Sequence, residues 1–483
     1  MSGLNCPDCG YRIEDTDEWN AMCPECGAQD IDVEALMAEI AKPEFTPTPE
    51  QADAVESIIN WYRNTNPKPK FYCLKGYAGT GKTYLMTYLA KSGLANEAYE
   101  EAMELLDQLW AKIRPSQICF TAPTNKAVKV LRNYLNNAGL QECATKTIYS
   151  LLGLSLQANG EVKEIMRPEE PVDLSGYKVI VVDEGSMVNR FLMEAIEDAF
   201  EEWGIPFLFM GDPAQLPPVG EITSPIWKIE DQSTLTQVMR YGDSMLDLAT
   251  AIRKVVDHPC PSVKIATNPP VYRLLKAEWY DKIVENLDLF KAGDAKIISW
   301  RNITVDKYNA FVREHIFGKS DARGNVWLPE DKIVATAMLK NLDDDIFMRT
   351  DEEATVLEIA LGYHPKFTEF EVWNLLVEDE NKRKVTIRTL TPTGQFHLNN
   401  RLNELSMEAK GGKKYKWREF WQLKEAFNEV RHSYAITSHR SQGSSYLKTF
   451  IDLEDIMLNR NRQEAFRSLY VSCTRQREEI YVS

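Results

Sequence analysis

The sequence contains no run that approaches the ~20 consecutive apolar residues of a transmembrane helix, so we expect no membrane partner. Its first residues, Met1 to Cys6, show no basic stretch followed by an apolar one, and no secretory signal is visible. Internal repeats and low-complexity tracts are also missing. These absences predict a soluble, intracellular, cytoplasmic protein.

An excess of basic residues is missing as well. The chain has 56 Lys and Arg against 72 Asp and Glu, which gives a net charge of −16. Nucleic-acid-binding domains are usually basic, but phosphate contacts depend on local charge, and a basic channel can lie inside an acidic shell. Composition therefore decides neither for nor against a nucleic-acid partner.

The cysteines do not suggest a disulfide framework, because nine is an odd number and the chain is expected to be intracellular. Five of them are scattered, mostly in apolar runs, where we expect small buried side chains. The other four form two C-P-x-C-G knuckles separated by 13 residues, Cys6 with Cys9 and Cys23 with Cys26. Four thiolates at this spacing predict a tetrahedral Zn²⁺ site, so we predict a zinc ribbon at 1–30 that depends on the metal to fold.

The rest of the chain alternates between strand and helix patterns. A length of 483 residues allows about three domains, and a hydrophobic content of 44% is ample for packed cores. Short apolar runs that open into helices or loops predict the strands of parallel sheets. These runs are Phe71–Leu74, Gln117–Thr121, Val179–Val182, Phe207–Met210, Ala295–Trp300, Ser433–Thr437, Lys448–Leu453 and Glu479–Val482.

We therefore predict an α/β protein with two parallel-sheet domains, at 45–225 and 226–483. The charged, strand-rich segment 325–430 is interpreted as a β-rich domain inserted into the second, and 151–174 as a hairpin insertion in the first. The acidic, helical segment 94–114 is long for its position, and it is either a decoration or a partner surface.

A phosphate-binding loop is predicted at Gly76–Thr83, which fits the pattern G-x-x-x-x-G-K-[ST] between a strand and a helix. Gly79 and Gly81 let backbone N–H groups close around the β-phosphate at a helix N-terminus. Lys82 would reach the β- and γ-phosphates, and the Thr83 hydroxyl would bind Mg²⁺. ATP and Mg²⁺ are the cofactors that this loop implies.

Two further strand ends are candidates for the same site, because parallel strands present their carboxyl ends to the ligand crevice. Val179–Val182 ends in Asp183, a candidate Mg²⁺ ligand, and in Glu184, which would orient or deprotonate the attacking water. Phe207–Met210 ends in a Gly-Asp turn followed by Gln215, which could sense the γ-phosphate.

These motifs, in this order, resemble those of superfamily 1 helicases, and most closely the 5′-to-3′ branch that includes RecD and Dda. The match runs from about Phe45 to Val482. The resemblance implies two RecA-like motor domains that close on ATP and reopen after hydrolysis. It also implies a monomeric motor that moves along single-stranded DNA and unwinds duplex or forked DNA in replication, recombination or repair.

The resemblance assigns further nucleotide contacts. Gln51 matches the adenine-reading position of the family, and Arg240 matches an arginine that touches the γ-phosphate. Gln442 and Gly443 match nucleotide-binding positions of a later motif. Arg475 matches an arginine finger that the second domain supplies, which in such enzymes contributes ~10³–10⁵ in rate.

Contacts to the DNA strand are implied by the motifs that follow other strands. Phe120–Ala127 and Ala144–Leu152 are similar to two strand-gripping motifs of the first domain, and Ala435–Ser445 to one of the second. Trp300-Arg301-Asn302, at the end of a predicted strand, could also stack on DNA or form hydrogen bonds with it. The candidate residues are Pro123, Thr124, Lys126, Thr147, Asn302, Thr437 and His439.

A strand-separating element is predicted between Leu154 and Met166. Asn159-Gly160 is a strong signal for a two-residue hairpin turn, because both positions must adopt positive φ. Related helicases place a wedge in this interval, so we expect the hairpin to meet the fork.

Several alternatives remain open at this point. The chain could be a translocase or remodelling ATPase that does not separate strands, a RecD-like subunit of a nuclease complex, or a nucleotide switch without motor activity. The zinc ribbon could bind DNA, dock a replication or recombination protein, or be purely structural, and its acidic residues favour docking.

Overall fold

The computed structural model describes residues 4–5, 12–13, 47–64, 69–90, 115–159, 161–238, 243–258, 261–265, 268–324, 326–342 and 345–483. The strands in these ranges are β1 (Leu4–Asn5), β2 (Arg12–Ile13), β3 (Phe71–Gly76), β4 (Ile118–Ala122), β5 (Ala144–Thr147), β6 (Ser155–Asn159), β7 (Val162–Met166), β8 (Val179–Val182), β9 (Phe207–Gly211), β10 (Gln232–Leu235), β11 (Val271–Arg273), β12 (Ala295–Ser299), β13 (Lys332–Ala335), β14 (Leu339–Lys340), β15 (Ile346–Met348), β16 (Glu353–Tyr363), β17 (Glu371–Asp379), β18 (Lys384–Leu390), β19 (Val430–His432), β20 (Ala435–Thr437), β21 (Tyr446–Ile451) and β22 (Gln476–Val482). The helices are α1 (Pro49–Arg63), α2 (Lys82–Ala90), α3 (Asn125–Asn137), α4 (Ile148–Leu151), α5 (Arg190–Trp203), α6 (Asp243–Val256), α7 (Lys276–Glu285), α8 (Leu287–Ala292), α9 (Asn302–Phe317), α10 (Lys319–Gly324), α11 (Pro392–Lys410), α12 (Lys416–Lys424), α13 (Ser438–Ser441), α14 (Leu453–Met457) and α15 (Arg462–Ser472).

The sheet of the predicted first motor domain, called the first motor sheet below, has six parallel strands in the order β10-β3-β9-β8-β4-β5. Alternate residues of its strands enter separate cores, with Tyr72 and Leu74 on the face of α1 and α3, and Cys73 on the face of α5. Burial on both faces explains why β8 is a continuous apolar run. All four strands predicted for this sheet are present.

One boundary prediction is wrong. The first domain was expected to end at residue 225, but Gln232–Leu235 pairs in parallel with β3 as the edge strand of the first sheet. The polar side chains of this strand, mostly exposed, carry no apolar signal. The first motor domain therefore extends at least to Leu235.

The second motor sheet has five parallel strands in the order β11-β22-β21-β12-β20. The four strands predicted for it correspond to β12, β20, β21 and β22. Helices α6 and α15 pack on one face, and α7 and α9 on the other.

The inserted domain consists of an antiparallel sheet in the order β18-β17-β16-β13-β19, with α11 and α12 packed against it. It begins close to the predicted start, but its last strand runs to His432, two residues beyond the predicted end at 430. It is also less purely β than expected, because α11 alone has 19 residues. Phe420, in the aromatic segment of α12, lies in the core of this domain.

The hairpin predicted in the first domain is present as the antiparallel pair β6 and β7. Its turn lies one residue later than predicted, since Asn159 pairs with Val162 and is the last strand residue. Gly160 lies outside the described residues. Leu156 and Val162 are 63% and 57% exposed, so the hairpin does not serve a hydrophobic core.

The remaining predictions concern buried cysteines, residues outside the described ranges and membrane-spanning helices. Cys73, Cys119, Cys143 and Cys473 are free and buried, as expected. The four knuckle cysteines, the segment 94–114 and Arg240 lie outside the described residues. Within the part of the chain that the structure describes, no helix is long and apolar enough to cross a membrane.

Candidate nucleotide and DNA site

The phosphate loop has the conformation that its glycines predict. Gly79 and Gly81 have φ values of 85° and 78°, in the region that other residues avoid. A side chain at Gly76 would lie 2.8 Å from Thr80 Oγ1 and 2.9 Å from Lys82 Cδ. The loop therefore turns tightly between β3 and α2, with the backbone free to approach a phosphate.

Lys82 is held inside this loop. Its Nζ donates to the carbonyl oxygens of Gly76 at 2.7 Å and Tyr77 at 2.9 Å. These contacts place the ammonium group where the loop folds around a phosphate, and phosphate oxygens are stronger partners for it than neutral carbonyls.

The residues predicted to hold Mg²⁺ lie next to each other. Thr83 Oγ1 donates to Asp183 Oδ2 at 3.1 Å, although the two residues are 100 positions apart in sequence. A hydroxyl and a carboxylate are oxygen ligands of the kind that Mg²⁺ prefers. The pair fits the cation: Thr83 and Asp183 would hold Mg²⁺, which would supply positive charge beside the phosphates of bound ATP.

Glu184 follows directly in a left-handed conformation with φ of 50°, which is uncommon for a residue other than glycine. Its backbone N–H donates to Asp183 Oδ1 at 2.8 Å. Burial and then the neighbouring Asp183 charge raise the pKa of Glu184 to about 7, while the positive charges of Arg475 and Lys82 act against this rise. A carboxyl with a pKa near neutrality suits a group that accepts a proton from water.

Two buried glutamines, one from each motor domain, have a side-chain polar atom without a hydrogen-bond partner among the described residues. Gln215 and Gln442 are 6% and 8% exposed. Neither Gln215 Oε1 nor Gln442 Nε2 has a hydrogen-bond partner within the structure as described. Buried groups of this kind normally find partners, so both are suited to contact a nucleotide or its attacking water.

Arg475 approaches the first domain from the end of α15. It is 6% exposed, and its Nε donates to Val471 O at 3.0 Å, which fixes the side chain against its own helix. Its charge acts on the pKa of Glu184 across the cleft. The predicted finger and the predicted water-orienting residue are thus linked by this effect of one charge on the other group.

Gln51 lies against the phosphate loop rather than in open solvent. Its Nε2 donates to Thr80 O at 2.9 Å, and its Oε1 accepts from Thr48 N at 2.9 Å in the cap of α1. Reading adenine would require it to exchange these partners. Its neighbour Glu50 accepts backbone N–H bonds from Thr236 and Gln237, just before the undescribed Arg240.

Sequence reasoning missed three contacts that the second domain makes with the nucleotide loops. Tyr470 OH donates to Asp212 Oδ2 at 2.6 Å and accepts from Ala78 N at 3.2 Å. Arg467 donates to the carbonyls of Pro213 and Gln215, and Arg253 lies over the Tyr77 ring. Tyr470 lies in 469–475, the stretch whose resemblance to the arginine-finger motif identified Arg475, so its position was a visible signal. Arg253 and Arg467 lie in the amphipathic helices α6 and α15 and gave no such signal.

The predicted DNA contacts share a structural position, since most of them lie where a strand ends and a helix begins. Thr124, Thr147 and Thr437 are the N-cap residues of α3, α4 and α13, and each side chain accepts a backbone N–H. Asn302 begins α9 and accepts from Arg431 at 3.2 Å. Pro123 precedes the first of these caps, and His439 is in α13. Both motor sheets therefore carry these residues at the carboxyl ends of their strands.

Lys126 of the first motor domain contacts a residue of the second motor domain. Its Nζ lies 3.4 Å from Tyr446 OH of the second motor domain. On the same side, Arg440 pairs with Asp351 of the inserted domain at 3.3 Å, and Arg349 contacts Asn125 at 3.4 Å. The inserted domain thus touches the motifs of both motor domains for which strand gripping is predicted.

The hairpin is docked on the inserted domain. Glu161 accepts from Lys410 Nζ at 2.6 Å and from Ser406, both on α11. Lys163 pairs with Glu425 and lies 5.2 Å from the ring centroid of Trp421. The hairpin is therefore braced by a domain more than 200 residues away in sequence.

Two family models and several known proteins match this chain. An AAA domain model matches residues 46–258, and a UvrD-like helicase C-terminal domain model matches 432–483. An uncharacterised protein of Acanthamoeba polyphaga mimivirus is 24% identical over 500 residues, covering 86% of this chain and 96% of its own. The ATP-dependent DNA helicase Dda of Enterobacteria phage T4 is 26% identical over 440 residues, covering 84% and 93%. A solved structure of Pif1 helicase from Bacteroides, in complex with ADP-AlF3 and single-stranded DNA, is 15% identical, covers 91% of this chain and 93% of that chain, and has a TM-score of 0.47.

The two parallel-sheet domains, the phosphate loop and the two family matches define a class. The chain is an ATP-hydrolysing helicase whose two parallel sheets lie in the regions matched by an AAA domain and a UvrD-like helicase C-terminal domain.

Proposed function

We propose that the protein is an ATP-dependent DNA helicase that moves along single-stranded DNA and separates the strands of a duplex. The observation that carries this proposal is the composition of the nucleotide cleft. Glu184 comes from the first motor sheet and Arg475 from the second, and they are close enough for the charge of one to act on the pKa of the other. Hydrolysis then depends on how the two domains meet.

The residues of the cleft divide the chemistry between them. The phosphate loop and Lys82 would hold the β- and γ-phosphates, and Thr83 with Asp183 would hold Mg²⁺. Glu184 orients the attacking water and accepts its proton, while Arg475 stabilises charge on the transferred phosphoryl group. Release of phosphate removes the group that both domains contact, so the cleft opens.

Opening and closing become movement if each domain grips DNA. In both sheets the candidate DNA residues lie at strand ends next to helix N-caps, where polar side chains and backbone N–H groups suit phosphate oxygens. Alternate tightening of Thr124 and Thr147 in one domain, and of Thr437 in the other, would advance the strand. A direction of 5′-to-3′ is part of the proposal and rests on the resemblance of the motifs.

The β6–β7 hairpin is proposed as the element that meets the fork. Stacking in duplex DNA is worth ~1.4 kcal/mol per base-pair step, so a rigid obstacle and a pulling motor suffice to part the strands. The exposed apolar residues Leu156 and Val162 suit contact with bases, and the contacts of Glu161 and Lys163 with the inserted domain supply rigidity.

The proposal is tested by ATP turnover measured with and without single-stranded DNA. We expect strong stimulation by DNA, and loss of turnover in Lys82→Ala because the phosphates lose their positive partner. Lys70→Ala is the matched control. Lys70 lies just before the N-terminal end of β3, whereas the phosphate loop follows the C-terminal end, and it pairs with Glu201 on the surface. Turnover that DNA does not change would favour a nucleotide switch instead.

A zinc ribbon at 1–30 remains a proposal that rests on the spacing of Cys6, Cys9, Cys23 and Cys26. In the described residues that flank the first knuckle, β1 and β2 pair in antiparallel fashion. We propose that this module docks a partner protein of DNA replication or recombination and takes no part in ATP hydrolysis.

A further inference from the structure

The second motor domain reaches the phosphate loop through one face of α15. Arg467 and Tyr470 are three residues apart, so their side chains lie on the same side of the helix. Arg467 donates to the carbonyl oxygens of Pro213 and Gln215, in the latter case at 2.9 Å. Both partners belong to the loop that follows β9, on the first motor domain.

Tyr470 continues this contact to the phosphate loop itself. Its ring is 1% exposed and packs with Ala78 and Ala214 of the first domain. Its hydroxyl donates to Asp212 Oδ2 at 2.6 Å and accepts from Ala78 N at 3.2 Å. Asp212 Oδ2 also accepts from Ala78 N at 2.9 Å, so hydroxyl, carboxylate and loop N–H form one closed group.

This group is buried and carries a charge. Asp212 is fully buried, and its other oxygen accepts from Ala214 N at 3.0 Å. Hydrogen bonds to a buried carboxylate are stronger than neutral ones and are costly to leave unmade. The tyrosine hydroxyl is therefore a strong link between the two motor domains, although it does not lie among the groups that would touch ATP.

The link is placed to control the arginine finger. Arg475 is five residues beyond Tyr470, and its side chain is tied back to Val471 O at 3.0 Å. Seating Tyr470 on Asp212 thus fixes the end of α15 that carries Arg475. Misplacement of a reacting group by about 1 Å can cost ~10²-fold in rate.

We propose that Tyr470 is a positioning residue that registers α15 on the phosphate loop and thereby sets the rate of ATP hydrolysis. It acts through Asp212 and Arg475 and does not bind the nucleotide. The inference rests on ATP hydrolysis in this cleft, which loss of turnover in Lys82→Ala tests separately.

The test is Tyr470→Phe, which keeps the ring and removes only the hydroxyl. We expect kcat for DNA-stimulated ATP hydrolysis to fall by about 10-fold or more, while KM for ATP changes less than twofold. In an Asp212→Asn background the same substitution should cost much less, because residues that act as one unit are not additive.

Tyr308→Phe is the matched control. Tyr308 is 4% exposed, and its hydroxyl donates to the buried Asp452 within the second motor domain, away from the cleft. We expect this variant to lose thermal stability as Tyr470→Phe does, with kcat unchanged.

Three results would overturn the proposal. They are a kcat of Tyr470→Phe within twofold of the wild type, a rise in its KM with kcat unchanged, and an equal loss of kcat in Tyr308→Phe.

Discussion

At the scale of single residues, the cleft concentrates negative charge where a cation and phosphates are to bind. Asp183 and Glu184 are adjacent; burial raises the pKa of both carboxyl groups, and the Asp183 charge raises that of Glu184 further. Lys82 and Arg475 offset this repulsion from two sides. Glu184 also has a left-handed backbone, and both perturbed pKa values and unusual backbone conformations are common at functional sites.

The raised pKa of Glu184 has a consequence for stability. The ordinary glutamate value is 4.5, and the folded protein raises it to about 7. The folded state therefore binds a proton more tightly than the unfolded chain between these values, and the contribution of this group to stability is lost as pH rises through 7.

Glu184→Gln should accordingly raise Tm at pH 8, where the wild-type carboxylate is ionised, and change Tm little at pH 5. The same variant should bind ATP and turn it over at least 100-fold more slowly, because the amide cannot accept the proton of the attacking water. Thermal melts at both pH values and a nucleotide-binding titration check these expectations. Normal turnover by the variant would mean that another group activates the water.

At the scale of elements, the hairpin and the inserted domain act as one unit. Single exposed ion pairs contribute at most about 1 kcal/mol, but Glu161 and Lys163 make several contacts on two helices, α11 and α12. A two-stranded hairpin is at best marginally stable in water. The brace therefore stiffens the hairpin, as the proposed role at the fork requires.

Replacing residues 156–162 with a short Gly-Ser linker should preserve DNA-stimulated ATP hydrolysis and abolish unwinding of a labelled fork. The double variant Glu161→Ala, Lys163→Ala should lower the unwinding rate severalfold for the loss of the brace alone. Lys282→Ala, which removes a surface ion pair with Glu285 in the second motor domain, is the control and should unwind normally. Normal unwinding by the linker variant would place the wedge elsewhere.

The knuckle cysteines lead to a separate expectation. Metal analysis should find one Zn²⁺ per chain, lost on substitution of Ser for any one of Cys6, Cys9, Cys23 or Cys26, because three thiolates no longer close the tetrahedral site. Removal of residues 1–30 should leave ATP hydrolysis largely intact. Protein purified without chelators that holds no zinc would refute the site.

At the scale of the whole molecule, the parallel sheets were predictable and the contacts between domains were not. Strands such as β8 are buried on both faces and are therefore visible as apolar runs, and their polar ends gave the candidate residues Asp183 and Glu184. The edge strand β10 is polar and was missed. Glu161 and Lys410, 249 residues apart, are joined only by the tertiary fold.

The same reasoning applies to the candidate site. Arg475 was identified because a motif surrounds it, whereas Arg467 was not, because its role depends on which loop α15 happens to face. From the sequence alone, the net charge of −16 decided neither for nor against DNA binding. In the structure, carboxylates of the inserted domain meet cations of the DNA motifs, as Asp351 meets Arg440, so part of the negative charge is already paired.

The central claim is that ATP hydrolysis in this cleft drives strand separation on DNA. It is tested most directly by a labelled fork carrying a single-stranded tail of one polarity, incubated with the protein and ATP. We expect that forks with a 5′ tail open only when ATP is hydrolysed, that forks with a 3′ tail remain closed, and that Lys82→Ala opens neither. Forks that stay closed with either tail, although single-stranded DNA stimulates ATP hydrolysis, would contradict it.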